Sequence, residues 1–526
     1  MDKKIKAFVT VAIILLTIIP FNSKSQSIKD IMEAYDNYQY ETALKFLKKL
    51  WKKDKNNTEL NYMYGKSILR SNTDRREAKK YLEIVIGNDI SYKDANLEMG
   101  KAYVYHKEFK KAKQILNFFL KNYNFSNNED DEHAAEKKKE AELLLKHIQS
   151  AELLLTNPLN VSFVNLGPNV NTKRSEINPF ITQNGQMLYY SSNKKYDSFL
   201  LEQINNIYFT KFSSEEFEWT KMKSINKDIN TDEQEVIVGI SADEKKIIIN
   251  VNWMKDEGDI FITNRDKKKF QELSELESTV NSEYDEPSAF LTKNNDTLYF
   301  CSNRPEGYGG LDIYISVKLP DGSWGKPFNL GPSINTEFNE SYPIINSAGN
   351  HLLFSSDRPE SMGGYDIFSA DKKDNKWFNI KNIGYPVNNF YDNFLITYSK
   401  SMRYGYTSQI RNDGYGEADI YQIIFNDIPP PHVIYTGTIK KRNGSNLELI
   451  TEPIEIEAID LTNNKLFTKS TYSKKGKYTF AFPPGKYKIK ITGPDFKDYE
   501  RAIRIPDAEP RKSLIIKNIT IQQKIK

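Results

Sequence analysis

The chain has 526 residues, 13% aromatic and 27% charged, a composition that excludes a disordered chain and leaves room for several domains. A formal net charge of +4 is too balanced to indicate a nucleic-acid-binding protein. The single cysteine, Cys301, excludes an intrachain disulfide and a zinc site built from cysteines.

Residues 1–25 read as a cleavable secretory signal, with Lys3, Lys4 and Lys6 ahead of an apolar run from Ala7 to Phe21 and small residues at Ser23 and Ser25. The run is short for a membrane span, and no cysteine follows it to take a lipid.

Residues 26–125 show helical periodicity in hairpins. Ala43, Ala78 and Ala112 recur at 35 and 34 residues, each followed by apolar residues at helical spacing. The pattern resembles the tetratricopeptide repeat, which implies an all-α solenoid with a groove for a partner. This segment holds 20 Lys and Arg against 13 Asp and Glu, so an acidic partner and a solvated basic surface are both open. Residues 126–157 start acidic at Glu129–Glu132 and continue as a long helix, read as a linker and a cap, until Asn157 and Pro158 stop it.

Residues 158–428 form a repeat. Its units begin at Asn171, Asn230, Asn281, Asn335 and Asn388, spaced 59, 51, 54 and 53 residues apart. A fixed core with variable loops predicts a β-propeller. The fourth unit shows four strand-like runs, at 342–347, 351–356, 365–370 and 377–383. The fifth supplies three and then meets Pro429, Pro430 and Pro431. The run at 161–166 has the pattern of the missing strand, so we expect five blades sealed by the N-terminal strand, with a degenerate sixth as the alternative. Residues 432–526 alternate as short strands around a turn at Pro483, Pro484 and Gly485, with Tyr478, Phe480 and Tyr487 able to share one core. They resemble the carboxypeptidase regulatory-like domain, a prealbumin-type β-sandwich.

Linear signatures of catalysis are missing. No Gly-x-Ser-x-Gly or phosphate-binding glycine loop occurs, and the five histidines form no His-Glu-x-x-His. The expectation is a protein that is not an enzyme, with no catalytic, cofactor-binding or metal-binding residues. Glu176, Glu235, Glu286 and Glu340, and Asn206, Asp259, Asp312, Asp366 and Asp419, recur once per unit and are read as partners for backbone groups. The loops between second and third strands gather Arg304, Tyr308, Arg358, Tyr365, Arg411 and Tyr415 on one face, the candidate protein-binding face.

In the order signal, tetratricopeptide repeats, propeller of the PD40 or TolB-like type, and regulatory-like sandwich, the chain resembles the PorE-like accessory family of type IX secretion. That resemblance implies a periplasmic scaffold, peripheral to the outer membrane, that mediates protein–protein interactions in secretion or gliding motility. Its implied partners are envelope proteins, either secretion-machinery or OmpA-like components, and no nucleic acid. Relatives continue into an OmpA-like domain that this sequence does not show, so direct peptidoglycan binding is not expected. The alternative is a propeller-based glycan- or peptide-binding sensor or enzyme of the cell envelope.

Overall fold

A computed structural model describes residues 35, 40–71, 73–123, 133–197, 202–213, 218–241, 244–252, 258–266, 269–443, 445–450, 454–470, 476–507 and 514–524. The signal segment 1–25 and the acidic run Glu129–Glu132 lie outside these residues. Two compact units divide between Ala141 and Glu142.

In the first unit the described helices are α1 (Tyr40–Trp51), α2 (Thr58–Leu69), α3 (Lys79–Asn88), α4 (Ala95–Tyr105) and α5 (Phe109–Asn122); a sixth, α6 (Ala134–Leu154), crosses the division. Asn57 caps α2, its side chain accepting the Leu60 amide at 3.0 Å. Ala43, Ala78 and Ala112 are fully buried, each where a larger side chain would hold neighbouring helices apart.

The expectation of an all-α tetratricopeptide solenoid as the first domain is corrected here. The protein is mostly β, and its described helices are six and short. Ala78 closes a 3₁₀ turn (Arg75–Ala78), and only 10 helical residues follow it. The alanine spacing therefore reports close helix contacts, which any packed helices need, and does not report a repeat domain. The basic excess is also partly spent inside this unit. Glu98 is fully buried and meets Arg70 and Lys101, both at 3.1 Å, while Lys66 holds Asp94 at 3.0 Å.

The second unit carries five propeller sheets. Blade one uses Glu176–Ile181, Met187–Asp197 and Glu202–Ser213, with two short outer strands; blade two is built the same way from Gln234–Ile240, Lys246–Asn252 and Asp259–Asp266. Blades three and four run from Ala289–Leu291 to Phe328–Asn329 and from Glu340–Ile345 to Lys376–Asn382. Blade five joins Thr397–Tyr398, Tyr404–Gln409 and Asp419–Phe425 to Val161–Asn165, which pairs antiparallel with register Val161↔Phe425 through Asn165↔Tyr421. The ring is thus sealed by a strand taken from the start of the region, which covers the otherwise open edge of Asp419–Phe425. First strands of successive blades neighbour one another around the axis, and apolar clusters fill the gaps between blades.

Residues 433–522 form two further sheets. In one, Val433–Asn443 pairs with Lys477–Phe482 and Asn446–Leu449 on one side, and in parallel with Leu514–Ile516 and Ile519–Gln522 on the other. The second runs Lys465–Lys469, Glu455–Asp460, Gly485–Thr492, Tyr499–Ile505. Tyr478, Phe480, Phe482 and Tyr487 share the core between them.

Candidate functional site

The repeated polar residues build a lattice between blades. Each unit's asparagine brackets one residue of the preceding blade's third strand, accepting its N–H and donating to its C=O: Asn230 on Ile207, Asn281 on Ile260, Asn335 on Ile313 and Asn388 on Ile367, all at 2.7–3.0 Å. Asn171 does the same to Ile420 and closes the circle. Glu176, Glu286 and Glu340 each accept from the Thr or Ser four residues earlier and from a second-strand serine, Ser192, Ser302 or Ser356. Burial pushes the Glu176 carboxyl up to about 7, and raises Glu340 despite the nearby Arg358 guanidinium. Asp312, Asp366 and Asp419 each accept a loop amide, from Tyr308, Met362 and Tyr415 respectively.

The six residues of the predicted face do not share one environment. Arg358 is buried: it holds Glu340 at 2.9 Å, donates to the Ile334 carbonyl, and lies 5.1 Å from the ring centres of Phe354 and Phe368. Arg304 repeats these contacts on Glu286, Val280, Phe300 and Tyr314. In blade five Asn393 replaces the glutamate and Gln409 the serine, and Gln409 donates to the Val387 carbonyl at 2.7 Å, the bond an arginine makes elsewhere. Arg411 is released from that duty and lies 4.0 Å over the Phe163 ring. Tyr365 packs on Phe394 at 5.1 Å, whereas Tyr308 and Tyr415 are 52% and 50% exposed. The glycines beside them serve packing: a Cβ on Gly309 would lie 2.3 Å from the Thr336 carbonyl oxygen, and one on Gly416 2.5 Å from that of Thr172, both in the next blade.

Side chains of opposite blades meet at the propeller axis. Asn178 of blade one donates to the Ile237 carbonyl at 3.0 Å and reaches the Tyr342 hydroxyl of blade four at 3.4 Å, a contact between blades that are not neighbours in the ring. Both residues have positive φ, 53° and 48°, at bulges in their first strands. Cys301 is fully buried there against Ser288 (2.9 Å) and Ser341 (3.3 Å), and burial pushes its thiol pKa up.

Space for a ligand lies off the axis, on blade four. A cavity of about 470 Å³ opens beside Arg358, within the range of small-molecule sites. Phe338 and Ile380, both half-buried, supply apolar walls and Phe368 lies beneath. Glu337, Glu360 and Lys381 are exposed at its edge, with Asn382 beside them. Asn382 also ties the blade together, donating to the Glu360 carbonyl at 3.1 Å and to Asp366 Oδ2 at 2.6 Å. The sequence pointed to Arg358 through its repeat. It missed Phe338, Glu337 and Lys381, although an aromatic residue at the same place in blade three, Tyr284, was a signal that could have been read.

No family model matches the sequence, and no curated relative matches it. Similar solved structures include one described as a glycoside hydrolase (10% identity, TM-score 0.37, covering 52% of this chain and 94% of that one). Another is TolB from Acinetobacter baumannii (12% identity, TM-score 0.33, 55% and 70% covered). A third is an endo-arabinase from Bacteroides thetaiotaomicron (15% identity, TM-score 0.32, 49% and 96% covered). TolB-like propellers are thus among the folds this chain is similar to; these structures carry nothing specific to PorE or type IX secretion. The expectation that the chain is not an enzyme is corrected by the same findings, since chains described as enzymes stand among its neighbours. A linear motif is the wrong thing to look for where functional groups come from dispersed loops.

Proposed function

We propose that the propeller takes a glycan or peptide of the bacterial cell envelope at the blade-four cavity. The observation that supports this reading is the cavity itself, where the Phe338 and Ile380 walls meet a charged and amide-bearing edge of Glu337, Glu360, Lys381 and Asn382. An apolar face with hydrogen-bonding groups around it suits a sugar ring or a short peptide. Glu337 and Glu360 are the groups there that could do acid–base work on such a ligand. Export to the periplasm belongs to the same proposal and rests on the pattern of residues 1–25. Calorimetry with muropeptides, which carry both glycan and peptide, tests the reading: binding should weaken about tenfold in Phe338→Ala, the loss of about 1.4 kcal/mol of contact. Equal binding by the two proteins would overturn it. Incubation of the same ligands with Glu337→Gln and Glu360→Gln, followed by mass spectrometry, reads any turnover.

A second reading is kept for one observation. The half-exposed rings of Tyr308 and Tyr415 stand on one propeller face and would suit a protein partner, as an accessory scaffold in type IX secretion or gliding motility requires. Crosslinking in native envelopes tests it; recovery of the same proteins with Tyr308→Ala/Tyr415→Ala would sink it.

A further inference from the structure

Among the described residues, blade four carries one set of contacts outside the repeat. Three consecutive carbonyls at its second-to-third-strand corner, those of Asp357, Arg358 and Pro359, accept from α6. The His147 Nε2 lies 3.1 Å from both the Asp357 and the Arg358 oxygens, and the Ser150 hydroxyl donates to Pro359 at 2.8 Å. His147 and Ser150 are three residues apart and so share one helix face. Ile148 and Ala151, on the turn they frame, are fully buried, and His147 is 5% exposed. The next carbonyl, Glu360, is taken by Asn382 from the blade side. A four-residue corner is therefore held from both directions, and Arg358, Pro359 and Glu360 of that corner line the cavity.

We infer that His147 and Ser150 are positioning residues for the blade-four cavity: they touch no ligand, but fix the backbone that forms one of its walls. The inference rests on the ligand reading for its consequence and on the hydrogen bonds for its cause. The Arg358 carbonyl also accepts the Ser361 amide at 2.9 Å, whereas a corner carbonyl without such a donor faces water and leaves the backbone free to shift. With both donors in place the wall is preorganised, and a ligand does not have to order it on binding. Among the described residues, the corresponding corner of blade three, Asn303 to Pro305, accepts no bond from α6, so this hold is an addition to the repeat and not part of it.

The test uses the full chain with His147→Ala/Ser150→Ala and with His147→Gln, which keeps an N–H donor. Two quantities are read: hydrogen exchange of the Ser361 and Met362 amides, and muropeptide affinity. The double variant should exchange these amides at least tenfold faster and bind several-fold more weakly, with His147→Gln recovering much of both. Phe338→Ala, which removes none of the helix bonds, should weaken binding and leave exchange unchanged. If the helix variants leave exchange and affinity at the wild-type level while Phe338→Ala weakens binding, the positioning role is overturned and the site stands. If muropeptides bind none of the proteins, the ligand reading fails, and the exchange rates alone decide whether the helix holds the corner.

Discussion

Asn171 grips Ile420 across 249 residues of sequence, its Oδ1 accepting the Ile420 amide at 2.9 Å and its Nδ2 donating to the Ile420 carbonyl at 3.0 Å. Asn335 makes the same pair of bonds to Ile313 across only 22 residues. The local chemistry is equal, but the Asn171 bonds join the two ends of the ring. Asn171→Ala and Asn335→Ala should each cost about 1–3 kcal/mol, because each leaves a buried N–H unpaired, while the carbonyl keeps its bond from Leu166 or Leu330. Only Asn171→Ala should speed exchange of the whole Asp419–Phe425 strand. Chemical denaturation with site-resolved exchange measures both; equal exchange patterns would show that the ring closes without this clamp.

Arg358 and Arg411 occupy matching repeat positions and should respond unequally to truncation. Arg358→Ala leaves the fully buried Glu340 without its cation, and loss of one partner of a buried pair costs about 3–5 kcal/mol. Arg411 lies partly exposed on Phe163, so Arg411→Ala should cost about 1 kcal/mol. Urea denaturation of the two variants reads the difference directly; comparable losses would mean that Gln409 has not taken over the arginine's work.

Asp366 is fully buried, its Oδ2 accepts from Met362 and Asn382, and its Oδ1 has no hydrogen-bond partner. Burial pushes its carboxyl from 3.8 up to about 8. The folded state therefore keeps a proton that the unfolded chain releases near pH 4. This group's contribution is fully present below that pH, falls as pH rises toward 8, and is level above it. Its largest slope is about 1.4 kcal/mol per pH unit. Asp366→Asn, which keeps an acceptor for both donors, should flatten the stability profile between pH 4 and 8. An unchanged profile would contradict a protonated Asp366.

Arg403 holds Asp507 of the C-terminal sheets at 2.7 Å, and the Tyr404 hydroxyl donates to the same carboxylate. Arg403 also donates to the carbonyls of Phe425 and Ile428, at the start of the proline linker. Asp507 is partly exposed, so Asp507→Ala should change global stability by about 1 kcal/mol or less. Exchange of the Ile428 amide, which donates to Phe425, should nevertheless rise several-fold. No change at Ile428 would show that the linker is fixed by other contacts.

The propeller was legible because its restraints repeat. An asparagine brackets a strand in every blade and a glutamate meets a serine 16 residues on in blades one, three and four, and the constant core length followed from them. Blade five shows the limit of that legibility: Asn393 and Gln409 do together what Glu, Ser and Arg do elsewhere, so Arg411 matches the repeat and has lost its partner. The N-terminal helices misled for the opposite reason. Buried alanines such as Ala43 and Ala112 occur wherever helices cross closely, and their spacing alone does not specify a repeat family. The cavity was legible only through Arg358. Phe338 shares its place with Tyr284 but not with an aromatic residue in blades one and two, and His147 lies 210 residues from the carbonyl of Asp357 that it meets.

The central claim is that the blade-four cavity is where this chain takes its ligand. A crystal structure of the full chain soaked with a muropeptide tests it most directly. The account expects a sugar or peptide moiety between Phe338 and Ile380, with polar contacts to Glu337, Lys381 or Asn382. Ligand density over Tyr308 and Tyr415, with the cavity left to solvent, would contradict it and favour the scaffold reading.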